Sequence, residues 1–224
     1  MRDKQLIRLD IISDIACPWC YVGKAYLDRA LEAHPEHPFE IEWHPFQLNP
    51  EMPISGMDRA EYMEKKFGGR ENAVRAYAPL VEHAQKAGLV LNLGDVKRTP
   101  NTLNAHRLIH WAGLEGRQTP VVSALFRALW QEGRDIGDLQ VLADVAEHSG
   151  LDRAMMLRLL EGDADREDIS ARDAHARERG VTGVPTFILA NQHVLQGAQP
   201  SEVWGRIIEE LTEQLNNPAK NSAV

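Results

Sequence analysis

The chain has 224 residues, 43% of them apolar and 26% charged, the balance of a globular protein built as one domain, or one domain with a large insertion, and not of a disordered chain. Its net charge is −8 with no long basic stretch, which argues against nucleic acid or an anionic membrane surface as partner. No apolar run approaches the roughly 18 residues that span a bilayer, and the polar start Met1-Arg2-Asp3-Lys4-Gln5 has no signal-peptide core, so the chain reads as cytoplasmic or as a trimmed mature form.

Leu6 to Ser13 reads as the first strand, with Ile7, Leu9 and Ile11 alternating. The only two cysteines follow at once, as Cys17-Pro18-Trp19-Cys20. They open a helix with Val22, Tyr26 and Ala30 on one face. That helix must stop before His34-Pro35, because a proline disfavours helical backbone in the residue before it. Phe39, Ile41 and Trp43 alternate with Glu40, Glu42 and His44 as a second strand, and a helical crossover between neighbouring strands favours a parallel pair. From about Asp58 to Glu161 the pattern is helical, without good strand candidates. Asp58 with Glu61 resembles a capping box. Thr99-Pro100 and Thr119-Pro120 each predict an N-cap before a proline at the first helical position. Leu125, Leu129, Leu139, Leu142 and Val145 supply apolar faces, and Trp111, Trp130 and Met155-Met156 read as core of this stretch. It is long enough, at roughly 100 residues, to hold a small core of its own.

A charged helix is expected from Asp165 to Arg179, and its mixed-sign run reads as a solvated face. A loop over Gly180 to Pro185 follows, then a strand from Thr186 to Ala190, a turn at Asn191-Gln192, and a return strand at Val194 to Gln196. Pro200 opens a last helix with Val203, Trp204, Ile207, Ile208 and Leu211. The ends therefore read strand–helix–strand and strand–strand–helix around a helical insertion, an α/β fold. Residues 1–55 and 165–216 form a discontinuous sheet domain, 56–164 the insertion, and 217–224 a frayed tail.

Two cysteines three apart have no distant partner to staple, and a four-cysteine zinc site within one chain is excluded. A redox pair, half of a mixed cysteine/histidine metal site, or chance spacing remain. At a helix start the first cysteine meets outward-pointing backbone N–H groups, whose partial positive charge stabilises a thiolate, the form that attacks a disulfide. Pro18 fits the first helical turn, where its missing N–H bonds nothing. Cys17 is thus the candidate nucleophile and Cys20 the more buried resolving thiol. Two buried free cysteines would be the plain alternative; a preceding strand and a βαβ context favour the thioredoxin-like reading.

Other residues carry weaker signals. Pro185, before a strand, is by frequency a trans proline. His106 and His110 lie four apart on one helical face, a spacing that can hold a metal. With no third ligand pattern they read as a packing or surface pair, and no metal is expected. His44 at a strand end either supports a thiolate as imidazolium or lies exposed on the polar face, the better reading.

Asp14-Ile15-Ala16-Cys17-Pro18-Trp19-Cys20, the helical insertion, and Gly183-Val184-Pro185-Thr186-Phe187 together resemble the DsbA family of thioredoxin-fold proteins. Trp43-His44-Pro45-Phe46-Gln47-Leu48-Asn49-Pro50 and the segment from Thr99 through Asn101, Thr102 and His106 to Leu108 narrow the resemblance to the FrnE-like branch. That branch neighbours the 2-hydroxychromene-2-carboxylate isomerases and kappa-class glutathione transferases. The resemblance covers nearly the whole chain except the tail. It implies a thioredoxin fold with a helical domain inserted after the second strand, a dithiol–disulfide cycle at Cys17 and Cys20, and a cis Pro185 facing them. By the same likeness Val184 offers its backbone N–H and C=O to an extended substrate peptide. Pro18 and Trp19 belong to the rim, with Trp19 also free to pack on the insertion. Asn101, Thr102 and His106 line the groove; the alternative is that Thr99 caps and Asn101 solvates the helix start. Phe46 and Leu48 either add an apolar lip or fill the hinge between sheet and insertion.

The related isomerases and transferases place a serine where this chain has Cys17 and use it to bind glutathione. The cysteine pair favours thiol–disulfide exchange instead. FrnE-like members can carry extra cysteines near the C-terminus; this chain has none, so no second pair in the same subunit is available. The expectation is a protein disulfide oxidoreductase or isomerase acting on a disulfide-containing protein or a small-molecule thiol. It needs no metal or nucleotide cofactor, has glutathione as candidate redox partner, and has an apolar insertion face that could support a homodimer. A glutathione-dependent isomerase or transferase and a peptide-binding, chaperone-like module are the rivals.

Overall fold

The computed structural model describes residues 6–217. The start, residues 1–5, and all of the expected tail except Asn217 lie outside the described residues.

β1 (Ile7–Ser13), α1 (Pro18–Ala33) and β2 (Phe39–Pro45) form a parallel βαβ unit, with Leu9 opposite Ile41 and Ile11 opposite Trp43. The insertion then runs through β3 (Met57–Asp58), α2 (Arg59–Phe67), α3 (Arg70–Lys86), β4 (Arg98–Thr99), α4 (Leu103–Leu114), α5 (Gln118–Trp130), α6 (Leu139–His148) and α7 (Arg153–Glu161). The chain returns through α8 (Arg166–Glu178), the hairpin β5 (Thr186–Leu189) and β6 (His193–Gln196), and ends in α9 (Ser201–Asn216). The sheet order is β2-β1-β5-β6, with β1–β5 and β5–β6 antiparallel. This is the α/β thioredoxin arrangement expected from the sequence.

β1 lies between β2 and β5, so Leu9, Asp10, Ile11, Ile12 and Ser13 are all buried. Leu9, Ile11, Phe39, Trp43 and Phe187 share one core with Cys20, Leu27 and Ala30 of α1 and with Trp204 and Ile208 of α9. Trp204 stands edge-on to Phe187, ring centres 4.9 Å apart, the geometry that aromatic quadrupoles favour.

Three local expectations shift. The sequence showed no strand in the insertion, but Met57 and Asp58 pair with Thr99 and Arg98 in a short ladder. Thr99 is therefore strand, and α4 starts three residues after Pro100. The Asn101 side chain takes over the capping role, its Oδ1 accepting the Leu103 N–H at 2.9 Å. α5 starts at Gln118, ahead of Pro120; a missing N–H is tolerated anywhere in the first turn, where these groups lack helical partners. The hairpin turns at Ala190-Asn191, one residue earlier than expected, with φ of 53° and 59°. Two consecutive left-handed residues make a turn whose twist matches the strands; the Gln192 N–H closes it on the Leu189 carbonyl at 3.0 Å, within a loop of residues 190–192 between the paired Leu189 and His193. Elsewhere the capping box holds at its first residue: Asp58 accepts the Ala60 and Glu61 N–H groups at 2.9 and 3.0 Å.

The insertion is fastened to the sheet by side chains. Gln118 copies a strand partner for edge strand β2, its Oε1 accepting the Trp43 N–H at 2.8 Å and its Nε2 donating to the Trp43 carbonyl at 3.1 Å. Trp130 Nε1 donates to the Ile15 carbonyl at 2.8 Å, tying α5 to the loop before the cysteines.

Candidate active site

Cys17 is the N-cap of α1 and Pro18 its first residue. The turn is closed by backbone: Cys17 N–H donates to the Asp14 carbonyl and Cys20 N–H to the Cys17 carbonyl, both at 3.0 Å. Both cysteines are free thiols. Cys17 is 5% exposed and Cys20 1%. Burial pushes the Cys20 thiol well above its ordinary range, and the neighbouring Cys17 sulfur pushes the same way. A nucleophile at the helix mouth, with a more deeply buried thiol one turn behind it, is the division of labour that disulfide exchange needs.

The Val184–Pro185 peptide is cis. Cys17 Sγ lies 3.6 Å from the Val184 carbonyl oxygen. The Pro185 carbonyl is taken by the Gly197 N–H at 2.8 Å, whereas the Val184 N–H has no hydrogen bond among the described residues. Gly23 of α1 permits this approach: a Cβ there would stand 3.0 Å from Pro185 Cγ. Sequence reasoning passed over Gly23, although a glycine inside a helical pattern was the signal.

The other predicted residues fall in different places. Trp19 is half-buried on the rim and meets the His83 ring of α3 edge-on at 5.3 Å. His83 also sits 3.1 Å from Tyr26 Oη through Nδ1. Phe46 is 1% exposed and lies under the Arg177 guanidinium at 4.0 Å, so it fills the joint between sheet and α8 and forms no lip. Half-buried Leu48 packs against the main core. Thr102 is the buried N-cap of α4, its carbonyl accepting the His106 N–H at 3.0 Å. Asn101 bridges to the Met52 carbonyl through Nδ2 at 2.7 Å. His106 is 4% exposed, with Nε2 3.1 Å from the Phe46 carbonyl and 3.5 Å from Asp14 Oδ1.

Asp14 joins these parts beneath the cysteines. Its carboxylate is 1% exposed and accepts the Ala16 N–H at 3.2 Å and the Leu48 N–H at 2.7 Å. On α8, buried Asp173 accepts the Gln47 N–H at 2.8 Å, while Arg177 donates to the Gln47 carbonyl. The α8 charges are thus partly a clamp on residues 46–47 and not a wholly solvated face. No sequence signal separates Asp173 and Arg177 from their neighbours.

His44 lies on the sheet face opposite Leu9 and Ile11, its Nε2 2.6 Å from Asp10 Oδ1. Asp10, Glu42 and His44 could offer a metal three ligand atoms within 4.8 Å. Arg8 already holds both carboxylates, at 2.7 Å each, so the cluster is a paired ion network. It borders a groove of about 750 Å3. Two further grooves, of about 560 and 640 Å3, lie between β2 and α4 and beside α2 and α3. None of the three is lined by Cys17 or Cys20.

The chain matches the DSBA-like thioredoxin domain family over residues 8–208, and it belongs to that family. Its structure is similar to a probable DsbA oxidoreductase from Streptomyces coelicolor, with 31% identity, TM-score 0.81, and 93% and 91% of the two chains covered. It shares its fold with the cytosolic disulfide reductase DsbM from Pseudomonas aeruginosa, solved with glutathione, at 20% identity and TM-score 0.66 over 92% and 99% of the chains. It also shares it with a 2-hydroxychromene-2-carboxylate isomerase, at 19% identity and TM-score 0.67 over 97% and 100%. The same fold thus carries both redox and isomerase chemistry, and the site must decide between them. No described helix is long and apolar enough to cross a membrane.

Proposed function

We propose that this protein is a thiol–disulfide oxidoreductase of the FrnE-like kind, working through Cys17 and Cys20 in a thiol-reducing compartment such as the cytoplasm. The observation that carries the reading is Cys17 at the mouth of α1, its Sγ 3.6 Å from the Val184 carbonyl beside cis Pro185, with Cys20 buried one turn behind. The Cys17 thiolate attacks one sulfur of a substrate disulfide, forms a mixed disulfide and expels the other sulfur as thiolate. Cys20 then loses its proton, attacks Cys17 Sγ, and expels the second substrate thiolate. The protein gives up two electrons as the Cys17–Cys20 disulfide forms, and the substrate takes them up as two thiols. A cytosolic poise keeps exposed thiols reduced, so reductase or isomerase work fits such a setting, with glutathione as the small thiol that returns the pair to its dithiol form.

An extended substrate strand would pair with the Val184 backbone, whose N–H is open. A glutathione-dependent isomerase is the second reading, favoured by the shared fold. It needs a pocket for a small aromatic substrate next to residue 17, and the three grooves above lie elsewhere. The deciding experiment is the redox equilibrium of the pair in glutathione buffers, read by thiol alkylation and mass. A reversible Cys17–Cys20 disulfide is expected. Glutathione bound without being consumed, with no internal disulfide, would overturn the exchange reading in favour of the isomerase.

A further inference from the structure

Ser13 is the last residue of β1, on the same face as Leu9 and Ile11. Those two residues share a core with Cys20 of α1. Ser13 is 4% exposed, and its carbonyl accepts the Phe46 N–H at 3.1 Å. Its hydroxyl, however, has no hydrogen-bond partner among the described residues. A buried hydroxyl left unpaired destabilises the fold, and an alanine would fill the same space without that penalty. A serine at the end of an apolar strand face therefore calls for a state in which the hydroxyl is paired.

We propose that the Ser13 hydroxyl is a donor held ready for the Cys20 thiolate: unpaired while Cys20 is a thiol, it bonds the sulfur when Cys20 ionises to resolve the mixed disulfide. The inference rests on the exchange reading above and deepens it. Burial makes ionising Cys20 unfavourable, and two groups oppose burial at that sulfur, the Ser13 side chain and the Asp14 backbone N–H. Ser13 is fixed by the backbone bond from Phe46, so its hydroxyl needs only to turn toward the developing charge, with no movement of the chain. The Ser13 hydroxyl keeps its own proton. The Cys20 proton passes to solvent, Cys20 Sγ bonds Cys17 Sγ, and the substrate sulfur leaves with the electron pair of the broken S–S bond.

The test uses the full chain, reduced, mixed in stopped flow with a symmetrical aromatic disulfide whose thiolate is coloured. Cys17 attack releases one thiolate and Cys20 attack the second, so the two steps appear as separate phases. One hydrogen bond to an ionised group changes the thiolate fraction about tenfold. The more basic sulfur left behind attacks about threefold faster, so Ser13→Ala should slow the second phase about threefold at neutral pH. Its rate–pH curve should move to higher pH, the first phase should keep its rate, and the thermal midpoint should not fall. Ser13→Thr, which keeps the hydroxyl, should restore the second phase. A Ser13→Ala second phase that matches the natural protein overturns the proposal. So does a lowered thermal midpoint. A natural protein with no second phase at all overturns the exchange reading itself, a different signature from failure of the Ser13 role alone.

Discussion

The two sides of Cys17 are held in different ways. Beneath it, Asp14, His106, Trp130 and the Asp173–Arg177 clamp lock the loop to sheet and insertion through buried hydrogen bonds. Beside it, the α2–α3 hairpin meets the rim more lightly. α2 has no buried residue, and α3 buries only Ala73, Leu80 and Ala84. The His83 ring is what reaches Trp19. Buried ties are concentrated beneath the two sulfurs, and the wall beside them is left with few buried contacts, the pattern of low local stability in segments that adapt.

The sharpest way to break this contrast is Asp14→Ala. It strands the Ala16 and Leu48 N–H groups and removes the carboxylate beside His106. The expected cost is about 3 kcal/mol, since each bond to an ionised group contributes roughly 1.5–3 kcal/mol. Urea unfolding at constant pH measures it, and a loss under 1 kcal/mol would mean the carboxylate does not hold the loop. Gly23→Ala should act more on position than on stability. The new Cβ meets Pro185 Cγ at 3.0 Å and Ala198 Cα at 3.4 Å, while the helix gains about 1 kcal/mol of propensity. Overpacking typically costs 1–3 kcal/mol, so a net loss of about 1 kcal/mol is expected. Disulfide exchange should slow several-fold as the cis-proline loop is pushed from Cys17; unchanged exchange would show that the loop gives way freely. The smallest effect belongs to the hairpin. His83→Ala should cost under about 1 kcal/mol, because Tyr26 Oη keeps the residue-83 carbonyl as acceptor at 3.1 Å. Exchange with oxidised glutathione should stay within about twofold, while exchange with an unfolded protein disulfide falls further; equal loss on both would place His83 with the rigid side instead.

Much of the frame was legible because it rests on local pattern. The alternation of Phe39, Ile41 and Trp43, the cysteines at a helix start, and Asp58 before Glu61 each carry their structure in adjacent residues. Boundaries failed where a distant group intervened. Thr99 became strand because Met57, 42 positions earlier in the chain, pairs with it across helices and loops. Phe46 offered two places, and only the Arg177 guanidinium over its ring decided between them.

By itself the sequence determined the βαβ and ββα ends, the helical insertion, and a cysteine pair at a helix start with the second thiol the more buried. Helix starts, strand periodicity and cysteine spacing are properties of short stretches of chain, so they can be read without the rest. The tertiary structure alone decided that Asp14 is a buried tie, that Gly23 makes room for Pro185, that α8 clamps residues 46–47, and that the Ser13 hydroxyl lies buried without a partner. Each of these depends on which groups from remote segments share a dry interior, and a side chain's role there is set by its neighbours, not by its own place in the chain.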